Sequence, residues 1–239
     1  MSSIGSYDLN FTIASRAILS KRLKVVHWPA FQRATWQDFT EKLPAPPAEG
    51  LDGYVIHSLE MTDDAEPISK RAQQILYVAE TYPRYMTRFE GSFEDFLAGM
   101  SGKSRSTLRR KVRKFAKADG GADIGDINWR QYETPAEIAD FLDLAVPLAK
   151  HTYQARLFDG ALPDDDAFRQ DARELAGEGR VRAYLLFLKG EPVAYLYTPL
   201  EERTFIYAYL GFDEAHAALS PGTVLQFLVH ERLFKDKPA

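Results

Sequence analysis

The chain contains no cysteine, which excludes a disulfide framework and any thiolate metal site. The first twenty residues lack the apolar run of a signal peptide, and no apolar stretch is long enough to span a membrane. A cytoplasmic location without a membrane span is the expectation. Histidine is scarce too: of the five, His27, His57, His151 and His230 are scattered and build no metal-ligand spacing. The one carboxylate run, Asp164-Asp165-Asp166, has no histidine or further carboxylate to complete a shell, and reads as the acidic start of a helix. No metal is expected.

What is present is an ordinary globular composition, 239 residues with 45% hydrophobic content, enough for one large domain or two small ones. The net charge is −4 but unevenly placed. Lys103, Arg105, Arg109, Arg110, Lys111, Arg113, Lys114 and Lys117 put eight cations and no acid into fifteen positions; subtracting them leaves −12 on the rest. One intensely basic helix on a mildly acidic protein suits an anion bound locally. The bland reading of such a run is a solvated face.

Taken in order, Met1 to Ile56 carries Trp28, Phe31, Trp36 and Phe39 at roughly helical spacing and then a proline-rich turn, so a short amphipathic helix and a loop are predicted. A short strand follows at Tyr54–Leu59. Ile68, Ala72, Ile75, Leu76 and Ala79 form a helical stripe, and Tyr82–Phe89 is extended. Ser92 with Asp95 marks a capped helix start, and Gly102 separates that helix from the basic one, whose Leu108, Val112 and Phe115 form a narrow apolar stripe. Pro135–His151 reads as a helix that Pro147 bends.

The most informative stretch runs from Val181 to Phe234. Val181–Lys189 and Pro192–Pro199 flank Gly190-Glu191 as a β-hairpin, and Thr204–Gly211 reads as a strand covered on both faces. Ser220-Pro221-Gly222 then has the form of a helix start, with serine as N-cap and proline at the first position. A helix start offers unpaired N–H groups and the positive end of the dipole, and Gly222 lets a phosphate approach. The cap preferences account for the same three residues without any ligand.

The segments SFEDFLAGMSGKSRSTLRRKVRKFAK, HTYQARLF, VRAYLLFLKGEPVAYLYT and YAYLGFDEAHAALSPGTVLQFLVHERL, in that order, resemble the GNAT-type acyltransferases of the CelD/BcsL group and are similar to the FemABX peptidyltransferases. The likeness covers roughly Tyr54 to Leu233. It implies an α/β fold with a central mixed sheet flanked by helices, as a domain over residues 54–239 behind an N-terminal helix-and-loop segment, 1–53. It further implies acetyl-CoA or another acyl-CoA as co-substrate, and an amine, hydroxyl or glycan acceptor. In such proteins the helix start after the fourth strand holds the CoA pyrophosphate, so Ser220, Pro221, Gly222 and Thr223 become the expected cradle. Arg105 and Arg109, one turn apart, are the expected cations facing an anion. The chain lacks the loop Q/R-x-x-G-x-G/A and carries Ser-Pro-Gly in its place. Relatives continue beyond this helix with further strands, so the C-terminal end of the usual fold is expected to be missing. The strand Thr204–Gly211 would then lie near a sheet edge, which a homodimer would cover.

Acyl transfer needs a group to take the acceptor's proton. The sequence offers no triad; Tyr209, Asp213 and His216 are the candidates around the strand end. Two other classes compete with an acyl-CoA enzyme: a FemABX-like transferase using aminoacyl-tRNA, and a catalytically inactive GNAT-like binding module. A basic helix without interleaved aromatics argues against general nucleic-acid binding, leaving tRNA as the nucleic acid in question.

Overall fold

The computed structural model describes residues 3–13, 16–30, 35–42, 44–45, 47–62, 65–71, 74–150, 162–201 and 203–236. The chain forms two compact units, Met1–Met86 and Thr87–Ala239. The boundary expected at residue 53 falls inside the first unit, because the strand at Gly53–His57 pairs with a strand that precedes it, Arg16–Pro29.

The first unit is mainly sheet where helix and loop were expected. Strands β1 (Ser3–Ile13) and β2 (Arg16–Pro29) pair antiparallel, and β3 (Gly53–His57) adds parallel to β2. Trp28 lies in β2, so the aromatic spacing is shared between a strand and the six-residue helix α1 (Trp36–Glu41); Phe31 lies outside the described residues. The stripe from Ile68 is not helical either. Strands β4 (Ile68–Arg71) and β5 (Gln74–Tyr77) pair antiparallel, burying Ser69 and Leu76 while Ile68 and Ile75 stay exposed. Direct cross-strand pairing thus replaces the i, i+4 stripe. Residues 78–90 form no ladder.

The second unit has three layers. Helices α2 (Phe93–Ala98) and α3 (Gly102–Asp119) follow one another, each started by a serine. Ser92 accepts from the Asp95 N–H while Asp95 accepts from the Ser92 N–H, a reciprocal capping box; Ser101 accepts from the Ser104 N–H. Gly102 is therefore the first residue of α3, and the break sits at Gly99–Ser101. Then come β6 (Trp129–Tyr132), α4 (Pro135–Ala149), α5 (Asp166–Gly177), β7 (Val181–Leu188), β8 (Glu191–Glu201), β9 (Thr204–Phe205), β10 (Tyr209–Phe212) and α6 (Pro221–Asp236). Asp165 caps α5 by accepting from the Phe168 N–H, and Asp164 pairs with Arg169 and Lys150, so the acidic run is occupied in starting that helix. His151 and the segment HTYQARLF lie outside the described residues.

The sheet order is β10-β8-β7-β6, with β9 also on β8, and every pair is antiparallel. The hairpin turn is Lys189-Gly190, both at positive φ, the two-residue geometry that matches strand twist. Along β7 and β8 the side chains alternate between two cores. Tyr184, Leu186, Ala194 and Leu196 meet α2, α3 and α6, while Ala183, Leu185, Tyr195 and Tyr197 meet α4 and α5. Burial on both faces explains why these strands read as near-continuous apolar runs. Val112 and Phe115 of α3 are fully buried, each stabilising by roughly 1.5–3 kcal/mol. The expected α/β architecture is the observed one.

The segment Thr204–Gly211, read as one strand covered on both faces and near a sheet edge, is split and lies at the edge of the described sheet. Leu200 pairs with Phe205 and Tyr197 with Tyr209, so the three residues Ile206, Tyr207 and Ala208 face only Pro199 and Thr198, and the Ala208 N–H donates to the Tyr197 carbonyl at 3.2 Å. That is a one-residue bulge, which breaks the ladder and bends the strand. Among the described residues no helix is long and apolar enough to cross a membrane.

Candidate functional site

β10 delivers the chain through a 3₁₀ turn, Glu214–Leu219, into α6. Asp213 starts the turn, its Oδ1 accepting from the Ala215 N–H at 2.9 Å. His216 Nε2 lies 3.9 Å from Asp213 Oδ2. Two of the three candidate acid–base residues are thus neighbours, brought together by i, i+3 spacing. Tyr209 points elsewhere, into the core under α4 and α5, with its ring against Phe168 at 5.7 Å and Tyr197 at 6.2 Å.

Ser220 occupies the capping position, since its carbonyl accepts from the Val224 N–H at 3.1 Å. Its backbone differs from the expected cap. At φ 54° and ψ 49° it is left-handed and closes the 3₁₀ turn, whereas a side-chain cap needs an extended residue. Pro221 opens the helix as expected, fixing φ where no donor is needed. The N–H groups of Gly222 and Thr223 have no partner among the described residues, as the first turn of a helix requires. Gly222 serves packing as well: a Cβ there would meet the Phe212 ring at 3.3 Å.

The basic helix reaches this junction. Lys114 Nζ donates to the Ala218 carbonyl at 2.8 Å, two residues before Ser220. At 100° per residue, Arg110 and Lys111 lie within about 60° of Lys114 on α3, whereas Arg109 lies about 140° away and Arg105 about 180°. The two expected arginines face α2 instead. Arg109 pairs with Glu94 at 3.0 Å, and Arg105 donates to the Leu97 carbonyl at 3.4 Å. Lys103, Arg110, Lys111, Arg113 and Lys117 have no ion-pair partner among the described residues, so the cations nearest the start of α6 are uncommitted.

Two residues that pattern reading passed over stand at the bulge. Tyr207, 37% exposed, stacks its ring on His230 of α6 with centroids 5.9 Å apart and planes at 21°. Phe96 at 5.7 Å and Phe89 at 6.0 Å border the same imidazole. Burial lowers the His230 pKa from its ordinary value and raises that of the Tyr207 phenol, so both are neutral near pH 7. The alternation Phe205-Ile206-Tyr207-Ala208-Tyr209 hides the bulge, because one inserted residue leaves no composition signal.

Comparison with known proteins adds the family. No curated protein sequence matches the chain. Among solved structures it is similar to the C-terminal DUF2156 domain of an Agrobacterium fabrum protein described as a lysylphosphatidylglycerol synthetase, at 14% identity and a TM-score of 0.40, covering 59% of this chain and 41% of that one. The model of the acetyltransferase (GNAT) domain matches residues 102–238, from the first residue of α3 past the end of α6. With more than half its length in that match, the chain belongs to the acetyltransferase (GNAT) domain family.

Proposed function

We propose that the protein transfers an acyl group from acetyl-CoA or another acyl-CoA to an amine or hydroxyl acceptor. The observation that carries this is the Lys114–Ala218 bond, which fixes the uncommitted cations of α3 beside the two free N–H groups that open α6. Oriented donors and nearby cations at a helix start suit a pyrophosphate. Thr223, only partly buried, adds a hydroxyl at the same end. Acyl-CoA would supply the activated thioester. The chain's part is to hold the phosphates, lay the arm along β10, the edge strand among the described residues, and present an acceptor. The order of the four sequence motifs supports a place in the CelD/BcsL branch.

A thermal-shift panel of acetyl-CoA, longer acyl-CoAs, free CoA and tRNA tests the reading. A ligand of the folded state at one hundred times its Kd adds about 2.7 kcal/mol of apparent stability. Stabilisation by CoA and its thioesters is expected. Stabilisation by tRNA alone would move the donor to an aminoacyl-tRNA, and stabilisation by none would overturn the proposal.

A further inference from the structure

We infer that His230 is the base that takes the proton from the acceptor as the acyl group moves. This rests on the acyl-CoA reading above and adds a position for the chemistry, which Asp213 and His216 do not provide.

The argument is one of length and direction. The Phe212 ring touches the position of Gly222 at the opening of α6, and the bulge lies five residues back along the edge strand. Five extended residues span about 17 Å. The pantetheine chain between phosphate and sulfur has as many backbone-like atoms as roughly four extended residues, about 14 Å. With its phosphates at the start of α6 and its arm along β10, the thioester reaches the bulge at Tyr207 and Ala208. His230 stands nine residues beyond Pro221, about 14 Å along the α6 axis, so helix and strand bring it to the same level.

The surroundings suit a base. Neither ring nitrogen of His230 has a hydrogen-bond partner among the described residues, and the ring is partly open. Tyr207 covers one face and Phe89 and Phe96 border it, which fixes the ring, and among the described residues no carboxylate is hydrogen-bonded or ion-paired to it. Tyr184 is the further titratable group near Tyr207, and burial raises its pKa, so it too is neutral. A neutral imidazole within reach of the reacting carbon accepts the proton the attacking nitrogen or oxygen sheds. The new bond to the acyl carbon forms as the carbon–sulfur bond breaks, and the proton finishes on the departing thiolate.

Bromoacetyl-CoA tests this without knowledge of the acceptor. It places an electrophilic carbon where the acyl group lies; an imidazole nitrogen within reach displaces bromide and forms a stable carbon–nitrogen bond. The chain has no cysteine, so thiol alkylation cannot mask the result. Peptide mass spectrometry of the full chain should find one adduct, on His230, prevented by excess acetyl-CoA, which has no free thiol to consume the reagent. His230→Gln should give no adduct at that position, with total labelling slowed at least tenfold, while CoA still raises its melting temperature. CoA binding with the adduct on His216, on a lysine or nowhere would overturn the inference and leave the acyl-CoA reading standing. No stabilisation by CoA or bromoacetyl-CoA would overturn both. The wild-type adduct decides the matter even if His230→Gln fails to fold.

Discussion

Lys114 and Ala218, 104 residues apart in sequence, are joined by a 2.8 Å hydrogen bond from ammonium to backbone carbonyl. The bond fixes which side of the basic helix meets the start of α6. Eight cations therefore do not act alike: those within about 60° of Lys114 face the junction, while Arg105 and Arg109 are tied to α2. Replacing Arg110 and Lys111 together by alanine should weaken CoA binding roughly tenfold, about 1.4 kcal/mol, with a smaller loss at high salt where exposed charges are screened. Arg105→Ala with Arg109→Ala should change it less than threefold. Calorimetric titration at low and high salt checks both, and the reverse order would place the anion on the other side of α3.

Gly211 and Tyr195 set a packing limit between β10 and β8. A Cβ at position 211 would lie 2.5 Å from the Tyr195 ring, which is fully buried, while one at 222 would lie 3.3 Å from Phe212. Gly211→Ala should therefore cost about 1–3 kcal/mol by overpacking, and Gly222→Ala less. Urea unfolding followed by fluorescence reads the difference. A larger loss at 222 would show that Phe212 has less room to yield than Tyr195.

In the first unit, His27 Nδ1 and His57 Nε2 are 2.9 Å apart, with ring planes within 14° and centroids 5.2 Å apart. Those values describe rings edge to edge in nearly one plane, sharing one proton between β2 and β3. Burial first, and then the charge of His27, lower the His57 pKa. A lowered imidazole pKa gives stability that is complete above the unfolded value of about 6.5 and is lost as pH falls through the folded value. Protonating both rings also breaks the shared bond. Amide exchange in β3, corrected for the intrinsic rate, should speed up between pH 7 and pH 5 in the wild type and much less in His57→Gln. Equal acceleration in both would remove the pair from the account.

Much of the second unit was legible because its signals are local. Ser92 with Asp95, Pro135 at a helix start, and the two-faced apolar runs of β7 and β8 each report a cap or a buried sheet without knowledge of the partner. Ile68–Tyr77 was misread because its hydrophobics fit both periods, and a hairpin is decided by pairing across the turn. The site was half legible. The start of α6 stands out in sequence, but the side of α3 that faces it depends on one lysine meeting one carbonyl. The meeting of Tyr207 with His230 depends on a bulge that strand alternation conceals.

Asp213 and His216 remain the natural rivals for acid–base work, and their geometry separates two roles. Asp213 holds the Ala215 N–H at 2.9 Å and begins the turn that carries the Ala218 carbonyl to Lys114. The His216 side chain is 37% exposed, and its contact with Asp213 is a long 3.9 Å. Asp213→Ala should loosen the turn, with a loss near 1 kcal/mol typical of a removed cap, and should weaken CoA binding several-fold because the phosphate site is displaced. His216→Ala should leave both CoA affinity and thiol release from acetyl-CoA within about threefold of the wild type, as most substitutions at half-exposed positions do. Thiol release and a CoA titration for the two variants give the answer. A hundredfold fall in thiol release for His216→Ala at unchanged CoA affinity would assign the base to the turn, and would do so against His230.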